Sequence, residues 1–299
     1  MNKIYIGVVI VIAFVLIIMS FTSRDDSQYN VRIFEPLPQV INSPQIKVKY
    51  EFAEESIPME SFDIYERIDR ELINNSYGHS STVQNIKLAN RFFPEITRIL
   101  KQYGVPEDFK YLAVAESGLR NVVSPAGASG YWQLMKPTAQ ELGLTINSEV
   151  DERYDLEKST IAAAQYLLKL KGIFGTWINA AAAYNTGMTR LKNNLEDQRE
   201  QDFFDLNLNS ETMRYFFRIL AIKEILEHPG DFGFHISNVD KYKELNDYYE
   251  VRVDTTIENL GDFAHRFNVS YRMLKIYNPW LTSETLTFTG EPYFIKIRK

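Results

Sequence analysis

The chain has 299 residues, 45% hydrophobic and 24% charged, with a net charge of −6; that is the composition of a folded protein of about two domains and excludes a disordered one. No basic cluster interrupts the acidic balance, so nucleic acid recognised by bulk charge is excluded as a partner. Cysteine is absent, which excludes disulfides, thiolate metal sites, Cys nucleophiles and a lipoprotein-type N-terminus; His79, His228, His235 and His265 have no metal-ligand spacing, so neither metal nor other cofactor is expected. Aromatic residues make up 13% of the chain. Such a share suits a sugar binder, although a large aromatic core gives the same number.

In chain order, Ile4 to Phe21 is an uncharged run of apolar and small residues between Lys3 and Arg24. It is long enough for a minimal membrane span and lacks a clean small-x-small cleavage site, so residues 1–23 read as an uncleaved anchor or signal with the remainder exported to the cell envelope. Residues 24–60, with Pro36, Pro38, Pro44 and Pro58, show no sustained period and read as an extended linker. Helical spacing starts at Ser61 through Ile64, Ile68, Leu72 and Ile73, and resumes from Val83 to Tyr103.

Glu107 to Leu119 places Phe109, Leu112, Ala113 and Glu116 on one helical face, so an acid stands where the pattern calls for an apolar residue. Gly118 follows as the cap, leaving the carboxyl in the last turn, where the helix dipole disfavours negative charge. Desolvation and dipole both favour the protonated form, which suits a general acid; an ordinary buried ion pair is the other reading of this helix alone. Next comes Ser124-Pro125-Ala126-Gly127-Ala128-Ser129-Gly130-Tyr131-Trp132-Gln133, whose glycines and small residues permit close backbone approach to a ligand or simply a tight turn over a core Trp. Pro137 suits the first turn of a short helix ending at Gly143. Asp155 suits the cap of a helix with Ile161, Ala164 and Leu168 on one face, and Ala180 to Ala183 form a compact helical patch before Tyr184-Asn185. A last long helix runs from Ser210 to His228. A second unit follows: Tyr249, Val251 and Val253 alternate as a strand, Asp254 and Ser270 each suit a helix cap, Asn278-Pro279 ends the second helix, and Tyr293 to Ile297 alternates again. That is a βααβ module.

In this order, Glu116-Ser117, the Ser124 to Gln133 stretch, Met135, Ala183-Tyr184-Asn185 and Glu211-Thr212-Met213-Arg214-Tyr215 resemble the lytic murein transglycosylases with a goose-lysozyme-like domain, in particular their membrane-bound group. The module resembles a LysM repeat, partially, since Val253-Asp254-Thr255 replaces its usual Gly-Asp turn. The resemblance implies a mainly α fold: a lysozyme-like (goose-type) helical domain at 61–230 and a small α+β LysM-like module at 231–299. It also implies cleavage of the β-1,4 bond between N-acetylmuramic acid and N-acetylglucosamine in peptidoglycan glycan strands without water, leaving 1,6-anhydro ends. Glu116 would be the catalytic acid and then base; Ser117, Ser124, Gln133, Met135, Tyr184, Asn185 and Tyr215 would lie near it or the sugar, with Tyr184 its foremost hydrogen-bond partner. Two rivals remain open. A muramidase would recruit a second carboxylate from Asp151, Glu152 or Asp155, which the interleaved Arg153 and Lys158 also fit as a plain charged loop; a non-catalytic wall-binding protein would keep the fold alone.

Overall fold

The helical spacing read from Ser61 onward is realised as a run of helices in the computed structural model, which describes residues 42–299; the expected anchor at 1–23 lies outside the described residues. Helix α1 (Phe62–Tyr77) buries Ile64, Ile68 and Leu72, while Ile73, one position round the helix, faces outward. Helix α2 (His79–Gln102) follows after Gly78 and tolerates Pro94 within it. A short 3-10 turn leads into α3 (Lys110–Ser117), which stops on Gly118 at φ 59, where the backbone N–H returns to the carbonyl of Val114. Helix α4 (Lys136–Glu141) carries Pro137 in its first turn, where no backbone donor is needed.

Helix α5 (Leu156–Phe174) starts at Asp155, whose carboxylate accepts from the Lys158 N–H. Its buried face is Thr160, Ala163, Ala164, Leu167 and Leu170, and Leu168 is exposed. The stripe expected from Ile161, Ala164 and Leu168 is therefore rotated by about one position. The cause is the facing helix α6 (Trp177–Thr186), whose Ala180 to Ala183 are all buried: small residues on both helices admit close approach and outweigh the larger Leu168. Helices α7 (Met188–Gln198) and α8 (Ser210–Glu227) complete the bundle. α8 packs against α1, α3 and α6 and buries Tyr215, Phe216, Phe217, Ile219 and Leu220.

One stretch departs from the expected linker. Strands β1 (Glu51–Phe52) and β2 (Glu55–Ser56) pair as a tight hairpin, with Tyr50, Phe52, Ala53 and Ile57 buried in the main core. Short period-2 pieces give too little pattern to be told from loop, yet Phe52 fills an aromatic pocket against Phe109 and Phe216. The two-residue turn, Ala53-Glu54, has φ of 54 and 65, a pair of left-handed positions that glycine and asparagine occupy at far less cost. Glu54 is exposed, so Glu54→Gly is expected to stabilise the protein by about 1 kcal/mol. A urea midpoint that does not rise would contradict it.

Strands β3 (Tyr248–Val253) and β4 (Tyr293–Arg298) pair antiparallel, Tyr248 opposite Arg298, with α9 (Leu260–Arg266) and α10 (Tyr271–Tyr277) between them in sequence. The first of these helices is capped by Asn259, whose side-chain oxygen accepts from the N–H groups of Gly261 and Asp262. Asp254, expected as that cap, lies too far upstream and pairs with Arg252 at the surface. Ser270 caps α10 as expected. Asn278 is fully buried; its amide donates to the carbonyls of Leu274 and Lys296 and accepts from the Lys296 N–H, which locks α10 to β4. The module is also joined laterally: Val150 is buried in its core, and the Asp151 N–H donates to the Trp280 carbonyl. Among the described residues no helix is long and apolar enough to cross a membrane.

Candidate active site

Glu116 is placed by three elements. Leu112 and Ala113, buried on the same face of α3, turn its side chain inward, and α8 crosses α3 to deliver Tyr215, which is 2% exposed. The Tyr215 hydroxyl donates to Glu116 Oε1 at 2.5 Å. Burial pushes the Glu116 carboxyl up to about 7; the Tyr215 hydrogen bond and the positive charge of Arg218 act in the opposite direction, and the negative Glu211 adds to the rise. Desolvation thus outweighs the donors around it, and the group is poised between its two states near neutrality. The phenols of Tyr215 and Tyr184 are pushed well above their ordinary value, first by burial and then by the charge of Glu116. Both therefore remain protonated donors.

The expected partner of the acid, Tyr184, instead donates to the Trp132 carbonyl at 2.8 Å. It sits near the end of α6, facing the glycine-rich loop, whereas Tyr215 rides on the helix in direct contact with α3. Trp132 is fully buried and its indole N–H donates to Thr160 Oγ1, so it is a core anchor under the loop. Ser117 is buried, and its hydroxyl donates to the Tyr131 carbonyl at 2.8 Å, tying the end of α3 to that loop. Ser124 Oγ accepts from the Ala128 N–H, and the Gln133 amide donates to the carbonyls of Val122 and Gly130. These polar side chains are engaged in holding the loop. Met135 and Asn185 are exposed and free of such duties.

The loop rests on Arg153, which sequence reasoning treated only as part of a charged stretch. Its guanidinium donates to the carbonyls of Gly127 and Leu134 and pairs with Asp151 at 2.6 Å. Gly130, at φ +80, lies so close that a Cβ there would stand 1.9 Å from the Arg153 carbonyl oxygen. Gly130→Ala is expected to cost about 3 kcal/mol, combining overpacking with a left-handed backbone; a thermal unfolding curve unchanged from the parent would contradict it. The other two carboxylates considered for hydrolysis are also committed. Glu152 accepts from the Thr145 N–H and pairs with Lys158, while Asp155 caps α5.

Beside the acid lies a charged cluster outside the sequence motifs. Glu71 on α1 is 1% exposed and binds Arg214 Nε at 2.6 Å. The signal was available: Glu71 follows Ile64 and Ile68 on the buried stripe of α1, the same acid-on-an-apolar-face pattern that marked Glu116.

Residues 94–207 match the profile of the Transglycosylase SLT domain, and residues 249–299 that of the soluble lytic transglycosylase C-terminal LysM-like domain. The chain carries an SLT transglycosylase domain followed by a LysM-like domain. Two curated relatives, both described as membrane-bound lytic murein transglycosylase D, from Escherichia coli K12 and from E. coli O6:H1 strain CFT073, are each 28% identical over 242 residues, 79% of this chain and 52% of the relative. The chain thus spans about half the length of the curated relatives it matches. Among solved structures, the 70 kDa soluble lytic transglycosylase of E. coli aligns with a TM-score of 0.39 at 25% identity over 49% of this chain and 26% of that one. An inactive mutant of the lytic transglycosylase Slt from Pseudomonas aeruginosa gives 0.38 at 23% identity, over 51% and 26%. The SLT domain contains Glu116, the glycine-rich loop and Tyr184; Tyr215 and the Glu71 cluster lie outside the residues its profile matches.

Proposed function

We propose that this protein is a peptidoglycan lytic transglycosylase in which Glu116 serves first as acid and then as base. The carrying observation is that Glu116, inside the SLT domain, takes a hydrogen bond from the buried Tyr215 hydroxyl, with burial raising its carboxyl to about 7. The protonated carboxyl gives its proton to the glycosidic oxygen as the bond to C1 of N-acetylmuramic acid breaks. The sugar's own acetamido oxygen stabilises the cationic carbon. Glu116, now ionised and supported by the Tyr215 hydrogen bond, removes the proton from the C6 hydroxyl as that oxygen attacks C1, which closes the 1,6-anhydro ring and returns the acid to its starting state.

One carboxyl suffices for this cycle, whereas an inverting hydrolase needs a second carboxylate roughly 6.5–9.5 Å away, free to activate water. The engagement of Asp151, Glu152 and Asp155 in salt bridges and caps supports the non-hydrolytic course. Ser117, Ser124 and Gln133 shape the cleft through the loop; Met135 and Asn185 are the exposed side chains available to meet sugar. The LysM-like domain is the proposed second hold on the glycan, and the cell envelope the proposed setting.

Mass spectrometry of the fragments released from purified peptidoglycan by the full chain tests the reading. Anhydro-muramyl ends are expected. Reducing ends, heavier by one water, would make it a muramidase, and binding to sacculi without release of fragments would make it a wall-binding protein.

A further inference from the structure

We propose that Glu71, in the helix preceding the SLT domain, is a positioning residue for the acid: its buried carboxylate clamps Arg214 and Arg218 on α8 and so fixes both the placement of Tyr215 and the charge facing Glu116. This inference rests on the role given to Glu116 above.

The geometry is a closed set of contacts. Glu71 Oε1 takes Arg214 Nε at 2.6 Å, and Oε2 lies 3.9 Å from Arg218 Nε. Arg218 Nη1 reaches Glu211 Oε1 at 3.1 Å. Arg214 and Arg218 stand one helical turn apart and bracket Tyr215, so holding both guanidiniums from α1 fixes the rotation of α8 at the turn that aims the phenol at Glu116 Oε1. Two cations and two carboxylates balance in this cluster. An acid that lies 2% exposed at its side chain is costly to remove from water unless paired, and Arg218 of this cluster also acts on Glu116.

The groups facing Glu116 define the sign of the effect. From α8 come Tyr215, Arg218 and Glu211, and from α6 Tyr184. From α2 the uncharged Asn85 approaches Gly118, near the Arg120 side chain, which Gln84 engages. Arg218 is thus the cation that favours ionised Glu116 and Glu211 the carboxylate that opposes it; Glu71, 3.9 Å from Arg218 Nε, acts through that guanidinium. Glu71→Gln removes its charge and leaves the amide shape, so Arg218 acts on Glu116 undiminished. The acid then ionises at lower pH, and less of it is protonated at neutrality. Arg218→Gln has the opposite effect. Removing both charges together restores the balance.

The test is a titration of Glu116 followed by carboxyl 13C NMR in the full chain, with the signal assigned through Glu116→Gln, beside pH profiles of glycan release. Glu71→Gln should move the midpoint down, shift the alkaline limb with it, and raise the ratio of activity at pH 5 to that at pH 8 by about fivefold, the order expected for one nearby charge in a partly buried site. Arg218→Gln should move the midpoint and the alkaline limb up and lower that ratio, and the double variant should return toward the parent. A midpoint unmoved in Glu71→Gln, or in Arg218→Gln should the first variant fail to fold, would overturn the inference and leave Glu71 a structural ion pair. The NMR reading stands without turnover. A parent that releases no fragments would count against the transglycosylase reading, not against the coupling.

Discussion

Glu116→Gln is expected to abolish glycan cleavage, lowering kcat/KM by about a thousandfold or more, while the protein gains stability over the parent as pH rises from about 4.3 to 7 and keeps that gain above it. Positioned acid–base groups contribute about 10²–10⁴ in rate, and in the proposed cycle one side chain serves both proton transfers, so its loss falls at the upper end. The amide keeps the acceptor for the Tyr215 hydroxyl, so the variant should fold. The stability change follows from linkage. The Glu116 carboxyl is raised to about 7 in the folded protein, against about 4.3 when exposed. Between those two values the native state holds a proton that the unfolded state has released. Stability therefore falls as pH rises through this window and stays lower above the folded value. The cost at pH 8 is about 3–4 kcal/mol, and glutamine does not incur it. Parallel urea unfolding at pH 5 and pH 8 should show the variant gaining on the parent by roughly 2 kcal/mol more at the higher pH. Equal gains at both would mean that Glu116 is not ionising inside the fold. In the parent, the same value predicts cleavage that declines above about pH 7 as the acid loses its proton.

The patterns with a long period were legible in the sequence. The helices carrying Glu116 and Tyr215, the cap at Asp155 and the βααβ order of the module follow from apolar spacing and a few capping residues, because those signals are local. The site was legible as a set of residues and less so as a set of contacts. Tyr184 and Tyr215 both stand in the sequence motifs, but which hydroxyl reaches the acid depends on how α6 and α8 pack on α3, and no local pattern encodes that. Ser117, Ser124 and Gln133 bear the polar groups of a binding site, and only the folded loop shows their donors turned to backbone carbonyls. Arg153 looked like surface charge because its partners, Gly127 and Leu134, stand far from it in sequence. Leu168 misled for the opposite reason: its size suggested burial, and the alanine contact between α5 and α6 excluded it.

Phe52→Ala is the second change expected to have a large effect, about 3–5 kcal/mol of stability, although residues 50–57 read as linker. Phe52 is fully buried, edge-on to Phe109 at 5.2 Å and to Phe216 at 5.4 Å. Phe109 in turn meets Trp177 at the start of α6, and Phe216 meets Phe203 and Phe204. A cavity there sits among three helices that cannot collapse onto it without moving α3 or α8, the two that bring Glu116 and Tyr215 together. The same hairpin exchanges hydrogen bonds with the helices around it. Glu55 accepts from the N–H groups of Trp177 and Ile178, and Asp108 accepts from the Ala53 N–H. Glu55 thus supplies the negative charge at the N-terminus of α6, the helix that carries Tyr184. A chain shortened to residues 61–299 would expose Phe109 and Phe216 and leave those α6 donors without their carboxylate, so it should be far less stable than residues 43–299 or insoluble. Equal urea midpoints for the two lengths would return the hairpin to the linker. The expected outcome instead makes it a structural support of the candidate site: aromatic packing links Phe52 to the helix of Glu116, and a carboxylate at the helix start links Glu55 to the helix of Tyr184.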